Sequence, residues 1–314
     1  MTVTTKAPPD RQHSRGDTQA PPARRRNLGD LKVAMIFLAP ATLGFVVFYI
    51  WPTLRGAYLS FTEYSLLSAP QFNGLDNYRR MIHDSFFWNA LVVTVEYVVI
   101  NIGVQTVLAV GIAMLMYRLT KSITVRAAIL LPYLVANVVV ALVWYWMLDF
   151  QVGIVNQGLT WIGIDPVAFF GDSHWAIPTI AGINVWRHMG YTALLVFAGL
   201  QTIPSYVYEA AEVDGAGEWK SFWRITLPLL RPVLVMVLVV TMIGSFQIFD
   251  TVAVTTQGGP INATRVIYYY IYERAFTRFD FGYASAMALV LFAILAVVSL
   301  LQLRLLRARE SDLA

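Results

Sequence analysis

The sequence predicts an all-α integral membrane protein with six transmembrane helices and both termini in the cytoplasm. Three observations carry this expectation. Of 314 residues, 57% are hydrophobic and only 13% are charged, about half the charge share of an ordinary soluble chain. The apolar residues gather into uncharged runs of about 20, the length a helix rising 1.5 Å per residue needs to cross a hydrocarbon core. The basic residues crowd into alternate connections, as expected when Lys and Arg near span ends stay in the cytoplasm.

The first run covers about residues 33–50 and is closed by Trp51-Pro52. The others cover about 89–117, 127–148, 175–200, 233–254 and 283–303. An even number of spans puts both termini on one side. Sixteen Lys and Arg residues lie before the first run, between runs two and three (Arg118, Lys121, Arg126), between runs four and five (Lys220, Arg224, Arg231) and after run six. Six lie in the alternate connections, and Arg187 sits inside the fourth run. The crowded side is assigned to the cytoplasm.

Residues 1–31, Pro-, Gln- and Arg-rich, have almost nothing to bury and read as a disordered basic cytoplasmic tail. A positive-inside anchor accounts for their charge without nucleic-acid binding. The first apolar run starts late, is full-length and lacks a small-x-small exit, so it is expected to remain as a span. Residues 32–314 form the membrane domain.

Catalysis finds no support in the residues. Cysteine is absent and the four histidines are scattered without metal-site spacing. A phosphate-cradling loop needs Gly directly before Lys-Ser, whereas Lys121-Ser122 follows Thr120 and Lys220-Ser221 follows Trp219. The chain is therefore expected to be no enzyme and to carry no cofactor and no metal.

The stretch "YEAAEVDGAGEWKSFWRITLPLLRP", Tyr208 to Pro232, makes the connection over 203–231 unusually polar for this chain. Pro204 suits a first helical turn, and Tyr208 to Glu212 continue it. Asp214-Gly215 breaks the run, since Gly accepts the left-handed conformation at a helix end. A second, amphipathic helix fits 217–226, with Trp219, Phe222 and Ile225 facing one way, and Pro228 and Pro232 are expected to stop it. Physical reasoning alone leaves three roles open for this loop: a helix resting on lipid headgroups, a plain hairpin, or a docking element for another protein.

Glu209-Ala210-Ala211, Asp214-Gly215-Ala216, Phe222, Ile225, Leu227-Pro228 and Pro232 resemble the "EAA" loop of membrane permeases in bacterial ATP-binding-cassette importers. The resemblance runs over nearly the whole chain after Arg26 and is nearest the carbohydrate-uptake branch, through "FNGLDNYRRM", "AGLQTIPSYVYEAA", "FDTVAVTTQGGP", "YIYERAF" and "GYASAMALVLF". It implies type I importer permease architecture in the bacterial cytoplasmic membrane, without the extra spans and outer domain of the maltose-specific partner. The implied partners are a second homologous permease, two ATPase subunits that hydrolyse ATP, and an extracytoplasmic solute-binding protein that delivers sugar. The loop residues Glu209, Ala210, Ala211, Asp214, Gly215, Ala216, Leu227 and Pro228 would shape the ATPase joint. Trp219, Phe222 and Ile225 would present its docking face.

The solute pathway is sought among polar groups inside the runs, which are costly in lipid unless they face a partner or a cavity. The candidates are Asn101 and Gln105, Asn137, Asn184 with Arg187, and Ser245, Gln247 and Asp250. Helix-to-helix hydrogen bonding is the other role open to each. Arg187 is expected near a span end or paired with Glu96. Phe246 and Phe249, with Gln247 and Asp250, offer the mixture of aromatic faces and hydrogen-bonding groups that sugars favour. Trp144-Tyr145-Trp146 reads as an interfacial belt, and Gly258-Gly259-Pro260 as an outer turn available to the binding protein or serving only as a turn. Within the importer class a neutral sugar or oligosaccharide is the expected solute, with glycerol-3-phosphate or a polyol as the alternative. A secondary transporter driven by an ion gradient would need ionisable relays in several spans, and these are lacking.

Overall fold

A computed structural model describes residues 28–65, 68–119 and 122–307. The predicted tail over 1–31 lies, up to residue 27, outside the described residues, and helix α1 (Leu28–Phe45) already covers its last positions. Residues up to Thr53 and from Leu54 onward form two units. In the first, α1 leads into a π-helical turn over Val46–Ile50. The sequence reading closes the span at Trp51-Pro52, yet the backbone continues as α2 (Trp51–Leu59). Proline has no N–H to donate, and here the Trp51 N–H reaches back five residues to the Val46 carbonyl. The wider turn shifts the bonding register just ahead of the proline, so the helix continues.

After the end of α2, which lies in the second unit from Leu54 onward, comes the antiparallel pair β1 (Thr62–Glu63) and β2 (Gln71–Phe72), in which Thr62 faces Phe72. Helix α3 (Asp76–His83) then precedes α4 (Ser85–Leu119), whose 35 residues extend the second predicted run at both ends. The third predicted run is broken. It consists of α5 (Ile123–Leu134) and α6 (Asn137–Met147), bent 87° apart across the extended Val135 and Ala136. Pro132 inside the last turn of α5 removes a ladder donor, which weakens the helix where it breaks.

After the short α7 (Ile154–Trp161), α8 (Ser173–Leu200) starts at Asp172, whose carboxylate accepts the amides of His174 at 2.7 Å and Trp175 at 3.3 Å. The polar connection folds as α9 (Ser205–Val213), α10 (Glu218–Ser221), a π turn over Phe222–Thr226 and α11 (Leu227–Leu229). Pro228 does not stop this second helix as expected. The Leu227 N–H bonds the Phe222 carbonyl five residues back, so a π turn again precedes a proline and the helix runs to Leu229. The fifth run is α12 (Arg231–Phe246) followed by α13 (Asp250–Thr255), with tight turns from Gln247 to Gly244 and from Ile248 to Ser245 between them. Helix α14 (Ile267–Tyr272), a π turn over Glu273–Thr277 and α15 (Phe281–Arg307) complete the described chain.

Among the described residues, four stretches are long and apolar enough to cross a membrane: Met35–Leu59, Ser85–Leu119, Arg231–Thr255 and Phe281–Arg304. The bent pair α5–α6 makes a fifth if it is one span. Helix α8 has the length at 28 residues but carries Asn184, Arg187 and His188 and is not among them.

Two large hydrophobic clusters and a smaller one of Val140, Leu148 and Ile183 lie within the second unit. The first large cluster gathers Met81, Phe87, Tyr97, Ile180, Phe246, Tyr270, Tyr283 and Met287. The second gathers Ala109, Ala113, Met116, Val196, Phe197, Leu200, Leu230 and Val237 beside the 203–231 connection. Small residues set the spacing within the second: Ala109, Ala113 and Ala193 are fully buried, and a Cβ on Gly190 of α8 would overlap the Ile129 carbonyl of α5. Between the two large clusters α4 carries the buried Asn101 and Gln105 and α8 the buried Asn184 and Thr192, and Ser245 of α12 is buried beside Phe246.

Candidate functional site

That polar band surrounds a cavity of about 260 Å³. Helix α4 contributes Tyr97, Asn101 and Gln105, spaced four apart so that they share one face. Helix α5 gives Tyr133, α8 gives Asn184, His188, Tyr191, Thr192 and Leu195, and α12 gives Val237, Val240, Thr241, Gly244 and Ser245. The side-chain amide of Asn101 donates to the Ser245 hydroxyl at 2.9 Å and to the Gln105 carbonyl oxygen at 3.3 Å. Gln105 in turn donates to the Thr192 hydroxyl at 2.8 Å. Three helices are thus joined by neutral side chains at the wall of one cavity, and no Asp, Glu, Lys or Arg lines it. The Asn101 Oδ1 is buried without a hydrogen-bond partner, an acceptor at this wall for one more donor.

The remaining pathway candidates separate. Asn184 and Ser245 line the cavity, and Asn184 also donates to the Ile180 carbonyl at 3.0 Å and the Thr251 hydroxyl at 3.1 Å. Asn137, at the first turn of α6, donates to the Asp250 carboxylate at 2.9 Å. Phe246 is packed into the first hydrophobic cluster. Gln247 and Phe249 line a different cavity of about 420 Å³, with Tyr268, Tyr272, Phe276 and Phe292 among its other walls. Arg187 is not paired with Glu96, which is exposed on α4; its guanidinium donates to the Val135 carbonyl at 3.1 and 3.2 Å and to the Tyr133 carbonyl at 3.2 Å. The break between α5 and α6 leaves those carbonyls without helical donors, and a cation supplies them. Tyr97, Tyr133, His188, Tyr191 and Thr192 went unrecognised in the sequence. Only the four-residue spacing of Tyr97 with Asn101 and Gln105 marked one of them.

The 203–231 connection has a defined turn at its centre. Asp214 follows the last residue of α9, and Gly215 adopts φ +70°, in the left-handed region. The Gly215 N–H reaches the Glu212 carbonyl at 3.0 Å and the Ala216 N–H reaches the Ala211 carbonyl at 2.9 Å, the paired bonds of a Schellman cap. Ala211 is buried, while Glu209 and Ala210 are exposed. Beyond the turn Trp219 is 76% exposed and Trp223 50% exposed, their rings 5.7 Å apart edge to face. Phe222 and Ile225, expected beside Trp219 on one face, are half-buried, and the Phe222 ring lies 6.3 Å from that of Trp219 and 5.3 Å from that of Trp223. The π turn displaces the side chains that follow it from ideal helical positions, which the sequence pattern could not register. Under the loop, Met114, Arg118, Tyr208, Glu209, Glu212 and Thr226 border a hollow of about 330 Å³.

At the end of the unit remote from that loop, the turn predicted at Gly258-Gly259-Pro260 is present. The Gly259 N–H bonds the Thr256 carbonyl at 2.9 Å, and the Thr264 hydroxyl bonds the Gly259 carbonyl at 2.6 Å. Gly258 is buried and Pro260 half-buried, whereas the adjacent Ile261 is 95% exposed. Near it lies a polar knot that the sequence reading missed. Tyr270 and Tyr283 both donate to one Asp84 oxygen, at 2.6 and 2.7 Å, and Arg274 donates to the Tyr270 hydroxyl at 2.7 Å. Burial pushes the Asp84 carboxyl up, but the two phenols and the amides of Phe86 and Phe87 outweigh it and hold it below the usual range. Burial, followed by the Asp84 bond, pushes the Tyr270 hydroxyl up to about 12.

Residues 86–311 match the family model described as the binding-protein-dependent transport system inner membrane component. Among curated relatives, the sulfoquinovosyl glycerol transport system permease protein SmoG of Agrobacterium fabrum is 34% identical, with 90% of this chain and 92% of that one aligned. The trehalose/maltose transport system permease protein MalF of Thermococcus litoralis is 31% identical over 90% and 96%. The sn-glycerol-3-phosphate transport system permease protein UgpA of Escherichia coli is 30% identical over 87% and 94%. A chain in the crystal structure of a bacterial ABC transporter importing the acidic polysaccharide alginate superposes with TM-score 0.79 at 24% identity, covering 90% of this chain and 99% of that one, a likeness of fold. A hinged helical frame around a neutral polar cavity, ending in a Schellman-capped loop, thus has its place: the chain belongs to the binding-protein-dependent transport system inner membrane component family.

Proposed function

We propose that this chain is one permease half of an ATP-driven importer that moves a neutral sugar or oligosaccharide across the bacterial cytoplasmic membrane by alternating access. Six spans are assigned, with α8 and the bent α5–α6 pair each counted as one, and both termini and the 203–231 loop are cytoplasmic. The basic residues beside that loop and both ends of the chain support this orientation. A second, homologous permease completes the channel, two ATPase subunits dock at the loops, and an extracytoplasmic solute-binding protein delivers the sugar. A solved relative of the same fold was crystallised in complex with an alginate pentasaccharide-bound periplasmic protein, which supports the last of these.

The mechanism is mechanical. Closure of the ATPase dimer moves the docked α10 helix, the Schellman turn at Gly215 transmits the movement without bending, and α8 and α12 shift around the cavity. Trp219 and Trp223 supply an exposed aromatic pair for the ATPase groove, the rigid anchor type that concentrates binding energy at interfaces. The Gln257–Ile261 turn is assigned to the solute-binding protein.

The observation that carries the substrate class is the absence of charged side chains from the 260 Å³ cavity, where amides, hydroxyls and tyrosine rings provide what a neutral sugar binds. The printed names of the relatives include trehalose/maltose and sn-glycerol-3-phosphate. A phosphomonoester would leave its charge unpaired here. The test is uptake into proteoliposomes holding the complete importer and its cognate binding protein, across neutral sugars, polyols and glycerol-3-phosphate. Transport of a neutral sugar is expected, and exclusive transport of the phosphate ester would reject the assignment.

A further inference from the structure

Arg187 lies outside the cavity lining but touches two residues that form it. Its Nη1 is 2.9 Å from the His188 Nε2, its Nη2 donates to the Tyr133 carbonyl at 3.2 Å, and its guanidinium carbon is 5.4 Å from the centre of the Tyr133 ring. A guanidinium only donates, and the Asn184 carbonyl, 2.9 Å from the His188 Nδ1, only accepts. The imidazole therefore carries its proton on Nδ1 and offers its Nε2 lone pair to Arg187. That assignment leaves the ring neutral and its orientation determined from both edges. His188 meets the Tyr133 ring edge-on at 5.7 Å, and Tyr133 stacks on Tyr191 at 4.5 Å with 11° between planes. The same guanidinium holds the Val135 carbonyl at the 87° break, while Asn137 on the far side of the break is held by Asp250.

We propose that Arg187 is a positioning residue of the solute cavity, clamping the break between α5 and α6 and thereby setting Tyr133, His188 and Tyr191 as its aromatic wall. This rests on the reading of the cavity as the solute site. No substrate contact is assigned to Arg187 itself; its planar fork serves three acceptors at once, which the point charge of Lys does not match.

The chain has no cysteine, so Thr241→Cys at the cavity and Ile261→Cys at the exposed turn give single-site reporters in a complete importer whose other subunits are cysteine-free. Thiol-labelling rates are compared with Arg187, Arg187→Gln and Arg187→Lys. Leaving the freed carbonyls and His188 without their donor is expected to change the rate at position 241 about tenfold in the Gln variant, and by less in the Lys variant, with position 261 unaffected. Unchanged labelling at 241, or equal changes at both reporters, overturns the proposal. If the Gln variant fails to assemble, the Lys variant decides by the same criterion. Protection of position 241 by saturating transported sugar tests the site reading separately; its absence alongside Arg187-dependent labelling rejects the solute reading and leaves the clamp.

Discussion

Arg118, in the last turn of α4, is ion-paired to Glu218, the first residue of α10. The contact ties a long apolar helix directly to the short helix that carries Trp219, so a push on the loop reaches the helix that holds Asn101 and Gln105.

Both partners are substantially solvent-accessible, so the pair adds little to folding. Its expected effect is on transmission. Glu218→Arg should lower sugar-stimulated ATP turnover about threefold in proteoliposomes, the exchange Arg118→Glu with Glu218→Arg should recover most of it, and high salt should erase the difference. A double variant no better than either single change would count against this role.

Gly215 should tolerate no side chain well. A Cβ at φ +70° strains the turn by about 1–2 kcal/mol, although no neighbouring atom blocks the space. Gly215→Asp is expected to reach the membrane in normal amount but to hydrolyse ATP without moving solute. The ratio of ATP consumed to sugar imported measures it, and a wild-type ratio would contradict the rigid-turn mechanism.

Asn101 joins α4 to α12 through Ser245 and leaves one buried acceptor open. Asn101→Leu keeps the approximate volume, removes both donors and leaves the Gln105 oxygen unpaired, a cost of about 1–3 kcal/mol. Uptake should fall about tenfold with normal binding of sugar to the separate binding protein, as read by transport assay and equilibrium titration side by side.

The Asp84 knot gives a pH signature. Because the folded carboxyl titrates below its unfolded value, its contribution is complete above about pH 4 and is lost as pH falls through the lower, folded value. Thermal unfolding of the purified protein should thus show no contribution from Asp84 to pH dependence between about pH 5 and 8. Asp84→Asn should lower stability at neutral pH by about 1–3 kcal/mol, through weaker bonds to Tyr270 and Tyr283, and the difference from wild type should shrink below about pH 4.

Gly190→Ala offers a packing test. The added methyl would meet the Ile129 carbonyl, so α5 must move away from α8 beside Tyr133. Loss of transport with retained membrane insertion is expected, whereas normal uptake would show that this close approach is dispensable.

Hydrophobic run length and helix-end chemistry are local properties, and they were readable residue by residue. The long α4 and α15, the extent of α8 and the Gly215 turn answer to spacing, an N-cap carboxylate and a left-handed glycine that neighbours within a few positions dictate. Prolines misled because a π turn, invisible in the pattern, carries the helix through Pro52 and Pro228. The cavity and the Asp84 knot depend on pairs such as Asn101 with Ser245, 144 positions apart, and Asp84 with Tyr283, 199 positions apart. Polar residues inside apolar runs announced that partners were needed, but packing of α4, α8 and α12 chose those partners. The same packing sets the Arg187 guanidinium against the Tyr133 and Val135 carbonyls beside the broken α5, contacts that only the folded arrangement shows.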